Sequence, residues 1–332
     1  EDLLRLDLWQ APGTDPTGTP FAEVRRRGTV RDRQTGAHLQ FHWQPSWPLQ
    51  LDLGLRVDHD GLTATTDLSP RASLAWQVSS VATLSASTGL YCQAWPLTLL
   101  SQARDPRKTR AIRAVQHQLE WRQLLADDTR LTVTVYRKTH SRLPLAPGQP
   151  RLSVLDDVFA PVPGAYDDLV ATGRGRAHGI EVTLQKKLKN RLYGMIGGSW
   201  SRSSYRDLLG VWRPRITDNR LTVTLEGGYK LSPRWEFSGR WILAGGRPYT
   251  PIDAAASLAR VNGARLPAYQ SLNLRADRRF SFRGSNLVAY LSVWNVTDRR
   301  NVQSVYWDEV HHKVAEQLQW GILPMFGLEF EF

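Results

Sequence analysis

The sequence predicts an all-β fold, a transmembrane antiparallel up-and-down β-barrel of about fourteen strands with long extracellular loops and short periplasmic turns. Three observations predict it. Apolar and polar residues alternate at a period of two, the alternating segments are unusually long, and their connections alternate between short and long. A soluble β-sandwich would share only the first feature. We expect residues 1–332 to form one barrel domain.

Alternation at a period of two defines the predicted strands. Residues 49–58, 130–136, 180–185 and 272–277 each place apolar side chains on one face and polar, often charged, side chains on the other. An arginine on the lipid face at the membrane midplane would cost about 2–4 kcal/mol, so we assign the charged faces to the barrel interior. The charges expected there are Asp52, Arg56, Glu120, Arg122, Glu181, Glu226, Arg240 and Arg275.

The predicted strands are longer than those of soluble sheets. A tilted membrane strand needs about 9–11 residues to cross, whereas soluble strands have about five or six. The long segments are 82–93, 112–124, 192–205, 218–231 and 319–332. The first clear strands are 37–45 and 49–58, and we expect the fourteenth strand at 22–31, with 2–9 as a further candidate.

The connections between these segments alternate between short and long. This alternation is typical of outer-membrane barrels, in which short turns face the periplasm and long loops face outward. The expected short turns are 45–48, 79–81, 125–128, 188–191, 231–234 and 281–285. The expected long loops are 59–70, 94–111, 141–175, 206–217, 246–269 and 297–318.

The chain closes on an alternating apolar strand. Gly327, Glu329 and Glu331 share one face of this segment. The other face carries Phe326, Leu328, Phe330 and Phe332. An apolar strand with a terminal aromatic residue resembles the signal that barrel-assembly machinery reads in Gram-negative cells. An amphipathic edge strand is the alternative, but an exposed apolar edge would promote aggregation in a soluble protein. We therefore expect the cell outer membrane as location, and its lipid, its lipopolysaccharide and that machinery as partners.

Composition narrows the other classes of function. The chain has 43 Lys and Arg against 31 Asp and Glu, a formal net charge of +12. No apolar run is long enough for a membrane helix. Nucleic-acid binding would require the basic residues on one face beside base-stacking aromatics, but they are scattered over strand ends and turns. The clusters near 104–113, 137–142 and 299–300 fall on the long-loop side, where they would neutralise lipopolysaccharide phosphates.

The sequence contains no arrangement typical of an enzyme, and we expect neither a cofactor nor a metal site. Cys92 is the single cysteine, and His311 and His312 are the only adjacent histidines. Adjacent residues of an extended segment point to opposite sides, so these histidines are poorly placed to chelate a metal. The paired aspartates lack calcium-site spacing, and the glycine-rich segment 173–179 lacks the features of a phosphate-binding loop.

A series of short segments resembles the barrel of TonB-dependent outer-membrane receptors. Each segment is weakly specific alone, but their order along the chain makes the resemblance strong. They are LQLDLGLRVDHD (49–60), LSPRASLAWQV (68–78), TLSASTGLYCQAWP (83–96), HGIEVTLQKKL (178–188), AGGRPYTP (244–251), RLPAYQSLNLRADRRF (265–280), LSVWNVTDRRNV (291–302) and GLEFEF (327–332).

The resemblance implies energy-coupled uptake of a scarce, bulky solute: a metal chelate, cobalamin or an oligomeric nutrient. Family members have a plug domain that TonB pulls and a barrel of about twenty-two strands. This chain resembles the C-terminal part of such a barrel, so we expect a plug or further barrel segment outside it. A membrane anchor or scaffold without a plug, and a passive channel, remain alternatives. The predicted solute-contacting residues in the extracellular loops are Tyr166, Trp212, Tyr249, Trp307 and His311.

Overall fold

The fold is almost entirely β-strand. The computed structural model describes residues 2–10, 13–14, 20–21, 24–103, 105–156, 166, 168–252, 259–282 and 284–331. Within these ranges the helical structure consists of one short α-helix, α1 (Leu97–Leu100), and two 3₁₀ turns, Pro106–Lys108 and Val154–Asp156. All three lie in loops, so the strands alone form the scaffold.

Long strands alternate along the chain with a few short strands that belong to loops. Those of the first half are β1 Asp2–Gln10, β2 Gly13–Thr14, β3 Pro20–Phe21, β4 Val24–Asp32, β5 Gln34–Ser46, β6 Leu49–Asp60, β7 Thr65–Ser79, β8 Ala82–Gln93, β9 Ile112–Ala126, β10 Thr129–Leu145 and β11 Val170–Lys189. Those of the second half are β12 Leu192–Arg206, β13 Trp212–Pro214, β14 Leu221–Lys230, β15 Trp235–Ala244, β16 Pro248–Tyr249, β17 Ala264–Arg265, β18 Tyr269–Phe282, β19 Ser285–Trp294, β20 Val302–Asp308, β21 Lys313–Leu318 and β22 Leu323–Glu331.

One large antiparallel sheet contains most of these strands. Its order is β5-β6-β7-β8-β9-β10-β11-β12-β14-β15-β18-β19-β22, with the short β13 added beside β12, which makes fourteen strands. Neighbours in this order are also neighbours along the chain once the small loop strands are set aside. This is the up-and-down topology that the alternation predicted. In the described part of the chain β5 and β22 are the two edges, and no pairing joins them.

The position of the fourteenth strand differs from the expectation. The described residues of the predicted segments 22–31 and 2–9 lie in strands β4 and β1, but these two pair with each other over Asp2↔Asp32 to Gln10↔Val24 as a separate sheet. The fourteenth member of the large sheet is instead Trp212–Pro214, which pairs with Ser204–Arg206. Period-two alternation identifies a strand, but it does not identify the strand's partner.

The predicted rhythm of connections is confirmed at all six short turns and at five of the six long loops. The exception is 59–70, where β6 and β7 pair as far as Asp60↔Thr65 and leave only residues 61–64 as the turn. Here the polar residues that suggested a loop form the long-loop ends of two paired strands. Two long segments also begin later than predicted. The predicted segment 218–231 begins as β14 only at Leu221, after Arg220, which adopts a φ of 66°. The last strand begins at Leu323 rather than 319.

The two faces of the large sheet differ as the sequence predicted. One face carries cross-strand and along-strand ion pairs, such as Arg240 with Glu226 at 3.5 Å and Arg275 with Asp277 at 2.6 Å. The opposite face carries most of the exposed large apolar side chains of the sheet. Among the described residues, no helix is both long and apolar enough to cross a membrane.

The last strand shows the predicted alternation. On β22, Phe326 is 89% exposed, Leu328 72% and Phe330 55%, and all three lie on the apolar face of the sheet. The face is fixed by their partners on β19: Leu291, Ala289 and Leu287. Phe332 lies outside the described residues, and the role of this segment as an assembly signal remains a prediction.

Candidate functional site

A small hydrophobic core lies in the loops rather than in the sheet. It joins loop 94–111 to the loop between β10 and β11. Its buried members are Trp95, Leu99, Leu100, Ala146, Val154, Tyr166 and Leu169. The backbone N–H of Tyr166 donates a hydrogen bond of 2.9 Å to the Gln102 side chain. This core holds the described parts of the two loops together, because its apolar side chains are removed from water.

Ion pairs extend this loop layer toward residues 207–220. Arg213 pairs with the buried Asp207 at 2.7 Å, and Arg215 pairs with Asp156. Burial raises the pKa of the Asp156 carboxyl, and the nearby Arg215 guanidinium opposes that rise. The Tyr205 hydroxyl donates to the Arg151 carbonyl at 2.8 Å. These contacts fasten the end of β12 to the preceding loop.

A third set of contacts ties in the loop between β15 and β18. The Arg213 guanidinium donates to the Ala259 carbonyl at 3.0 Å, and Arg265 pairs with Asp218 and also donates to the Gly246 carbonyl. Gly246 must be glycine, since a Cβ there would lie 1.7 Å from the Leu266 carbonyl oxygen. Backbone segments therefore approach closely at the point where this loop leaves the sheet.

A cleft of about 840 Å³ opens beside this point, between the β15–β18 loop and the β19–β22 loop. Its charged lining residues are two arginines, Arg240 and Arg247, and no carboxylate lines it among the described residues. Arg240 also reaches Glu226 on the adjoining wall at 3.5 Å, and Arg247 donates to the Gln303 carbonyl at 2.7 Å, which connects the two loops across the cleft. The remaining lining groups that can recognise a ligand are Asn219, Tyr269, Ser271, Asn273, Trp294, Asn295, Asn301, Gln303, Gln319 and Trp320.

The wall of the cleft is built by an asparagine-rich turn after β19. Asn295 and Asp298 adopt φ values of 49° and 48°, a left-handed conformation that Asn and Asp tolerate better than most residues. The Asn301 amide donates to the Gln270 carbonyl at 2.7 Å and accepts from the Gln270 N–H at 3.0 Å. Asp298 accepts from the Ile322 N–H at 2.9 Å. The turn therefore fixes the loop to β18 and to the start of β22.

Comparison with known proteins assigns the family. Residues 4–296 match the family described as TonB dependent receptor-like, beta-barrel. The chain belongs to this family. Family members are transporters and receptors rather than enzymes, and their barrels are outer-membrane proteins. No curated protein is significantly similar to the chain in sequence.

Solved structures of TonB-dependent receptors share the fold at low identity. The ferric enterobactin receptor PfeA of Pseudomonas aeruginosa superposes with a TM-score of 0.68 and 15% identity, over 92% of this chain and 46% of that one. The siderophore receptor PiuA of Acinetobacter baumannii gives 0.66, 12%, 94% and 45% in the same order. The ferripyoverdine receptor of Pseudomonas aeruginosa gives 0.65, 14%, 95% and 40%. The chain thus spans less than half the length of these receptors.

The predicted solute-contacting residues lie in several separate places in the loops of this receptor barrel. Tyr166 is 4% exposed within the loop core, so its ring packs the loops together. Trp212 lies under the Arg176 guanidinium at 4.2 Å, on the outer side of β12. Tyr249 pairs with Ala264 in a short hairpin. None of the three lines the cleft, and their contact with a solute remains a prediction.

Trp307 and His311 lie in a separate hairpin, β20–β21. Trp307 is opposite Val314, and the His311 ring lies 2.7 Å from the Asp308 carboxylate. The hydrogen bond from His311 lowers the pKa of Asp308, assisted by backbone N–H groups of the turn. Among the described residues, no group of three or more His, Cys, Asp or Glu side chains is arranged to hold a metal.

The residues that line the cleft of this receptor barrel were not predicted as solute contacts. Arg240 was assigned only to the interior wall, and Arg247 lies within a segment that carried the family resemblance. The sequence signal near them is the spaced set Asn295, Asp298 and Asn301 together with Gly245 and Gly246, since these residue types mark turns with left-handed or closely approaching backbone. Which turns meet depends on the order of the strands.

Proposed function

We propose that this chain is the C-terminal part of the barrel of an outer-membrane TonB-dependent transporter, and that its solute is a metal chelate of the siderophore class. The observation that carries the proposal is the loop-side cleft with its two arginines. Arginine recognises carboxylates and other anionic oxygen groups through several donors in one plane. The cleft volume of about 840 Å³ lies in the upper range of small-molecule sites.

The amide and aromatic lining supports a bulky, oxygen-rich ligand. Asn219, Asn273 and Gln319 provide donors and acceptors for its carbonyl and hydroxyl groups, while Trp294 and Trp320 offer flat apolar contact. Cobalamin and oligomeric nutrients share the bulk but would not require two arginines in a lining without carboxylates. The similarity to solved siderophore receptors favours the same solute class.

The free edges of the sheet bear on the alternatives. A passive channel of fourteen strands would pair β5 with β22, yet within the described residues these two edge strands are not paired with each other. We infer that further barrel strands join between them and that a plug, pulled by TonB, fills the interior. This chain covers only 40–46% of the length of the solved receptors, which supports this arrangement. A scaffold role would leave the cleft without a ligand.

Uptake of radiolabelled iron tests the proposal in cells that express the full-length protein in an outer membrane. We expect uptake from one class of ferric siderophore, lost on deletion of TonB and reduced about tenfold or more by Arg240→Gln with Arg247→Gln, because charge-assisted hydrogen bonds contribute about 1.5–3 kcal/mol each. Arg234→Gln, in a periplasmic turn, is the matched control. Uptake of cobalamin or an oligosaccharide instead of iron would contradict the solute class, and uptake independent of TonB would contradict the transport mechanism.

A further inference from the structure

A group of arginines lies on the outward face of the sheet, immediately beyond its apolar band. The strands in this sector are long: β10 has 17 residues, β11 has 20 and β12 has 15. The last apolar row contains Val135, which is opposite Leu119 and Ile180, and Ile180 is opposite Trp200. All four side chains are exposed. On β10, β11 and β12 this row is the last apolar one before the basic rows on the long-loop side.

The next rows toward the loops are basic. Two residues further along, Arg137 is opposite His117 and His178, and His178 is opposite Arg202. Arg176 and then Arg174 follow on β11, and Arg174 is directly opposite Arg206. The outer basic patch therefore consists of Arg137, Arg174, Arg176, Arg202 and Arg206, all exposed.

No carboxylate balances the outer basic patch. The outward positions of β9, β10, β11 and β12 contain no Asp or Glu within the described register. None of the five arginines forms an ion pair with a described carboxylate. Arg176 donates to the Ser204 hydroxyl at 3.1 Å and Arg206 to the Gly210 carbonyl at 3.0 Å. Like charges placed directly opposite on a sheet repel each other, so an anion between them would relieve the repulsion.

The patch is local rather than a ring around the barrel. At the matching end of the neighbouring strands the outward residues are uncharged: Thr88, opposite His117, and Leu90 on β8, and Leu221 at the start of β14. General attraction to an anionic membrane surface would be served by cations all around the sheet. A cluster confined to three strands, β10, β11 and β12, indicates a discrete ligand held against the outer wall.

We propose that the outer basic patch binds the sugar-linked phosphates of a lipopolysaccharide molecule in the outer leaflet. This proposal assumes the outer-membrane setting proposed above. The acyl chains of that lipid would lie along the apolar row that contains Val135 and Ile180. Its phosphates would then reach Arg137 and Arg202, and the patch extends over the four residues from Arg202 to Arg206, about 13 Å along the strand. Arginine binds phosphate oxygens through paired N–H donors.

Binding of purified lipid A to the full-length protein in detergent, counted by native mass spectrometry, tests the proposal. The variant combines Arg137→Gln, Arg174→Gln and Arg202→Gln, since these three arginines make no described side-chain hydrogen bond that would be lost. The matched control removes three exposed loop-side charges away from the patch, Arg33→Gln, Arg260→Gln and Lys313→Gln. Circular dichroism and heat-resistant migration establish that each protein is folded.

We expect one bisphosphorylated lipid A per protein, with binding about a hundredfold weaker in the patch variant and unchanged in the control. Lipid A without phosphates should bind as weakly to the wild type as phosphorylated lipid A binds to the patch variant. Equal losses in both variants would overturn the proposal, as would phosphatidylglycerol binding as tightly as lipid A. Fractionation of wild-type cells separates this failure from that of the proposed function, because a protein absent from the outer membrane would contradict the latter.

Discussion

The assignment of the sheet's two faces can be tested at two adjacent residues of β10. Val133 points outward, between Trp121 on β9 and Val182 on β11. Thr134 points inward, opposite Glu120 and Glu181. Val133→Arg therefore places a guanidinium in lipid, whereas Thr134→Arg places the same group between two carboxylates. The two variants carry the same added charge and nearly the same position along the strand.

The expected loss of folding free energy in Val133→Arg follows from the depth of Val133 in the membrane. Val133 lies four residues from Arg137, about 13 Å along the strand and about 9 Å in depth at a tilt near 45°. It also lies four residues from Thr129, at the periplasmic end of β10, so it is close to the middle of the apolar band. An arginine there should reduce the free energy of unfolding by about 2–4 kcal/mol.

Reversible unfolding of the full-length protein in lipid vesicles, followed by tryptophan fluorescence in guanidinium chloride, measures this difference. We expect Val133→Arg to lower the folding equilibrium constant about 30-fold to 900-fold, and Thr134→Arg to change it little or to raise it. Equal destabilisation by the two substitutions would refute the facing assignment, and so would a larger loss for Thr134→Arg. Val133→Ala separates the cost of charge from the cost of lost packing.

Three further predictions concern the loops. Leu100→Ala in the loop core should cost about 2–5 kcal/mol of local stability and speed proteolysis in loop 94–111 while the sheet stays folded. Leu209→Ala, at an exposed position, should change neither. Equal protease resistance of the two variants would contradict a structured loop layer. Asn301→Ala should remove both hydrogen bonds to Gln270 and cost about 1–3 kcal/mol, seen as faster amide exchange at residue 270 and weaker solute binding. The pKa of Asp308 is lowered on folding, so its contribution to stability is present above the ordinary value of 3.8 and is lost as pH falls through the lowered value. Amide exchange in the 308–311 turn, corrected for intrinsic rates, should therefore rise below that pH in the wild type and be insensitive to it in Asp308→Asn.

Much of the scaffold was predictable from the sequence because its signals are local. Alternation fixed which side chains share a face, and the short turns fixed which strands pair, since consecutive strands joined by two residues have little choice of partner. The prediction was wrong for 59–70 and for 22–31. In the first case β6 and β7 stay paired beyond their apolar residues through polar ones, and in the second two alternating strands pair with each other outside the large sheet.

The candidate site was less predictable than the scaffold. Aromatic residues in long loops were reasonable solute contacts, but Tyr166 is used to build the loop core. Arg247 and Gln303 are 56 residues apart in the sequence. They meet only because their two loops leave the sheet at the same end of its strands. No local sequence pattern predicts that these two loops approach each other. Their approach follows from the order and register of the hydrogen-bonded strands that carry them.

The sequence by itself determined that this chain is a membrane-type β-sheet with an apolar outer face, a charged inner face and long loops at one end, because period-two alternation and turn chemistry act between near neighbours. Only the tertiary structure decided that Arg240 and Arg247 line a common cleft, and that Arg137, Arg174 and Arg202 form one patch. The physical reason is that strand register converts distant positions into cross-strand neighbours about 5 Å apart, and register is set by the whole sheet.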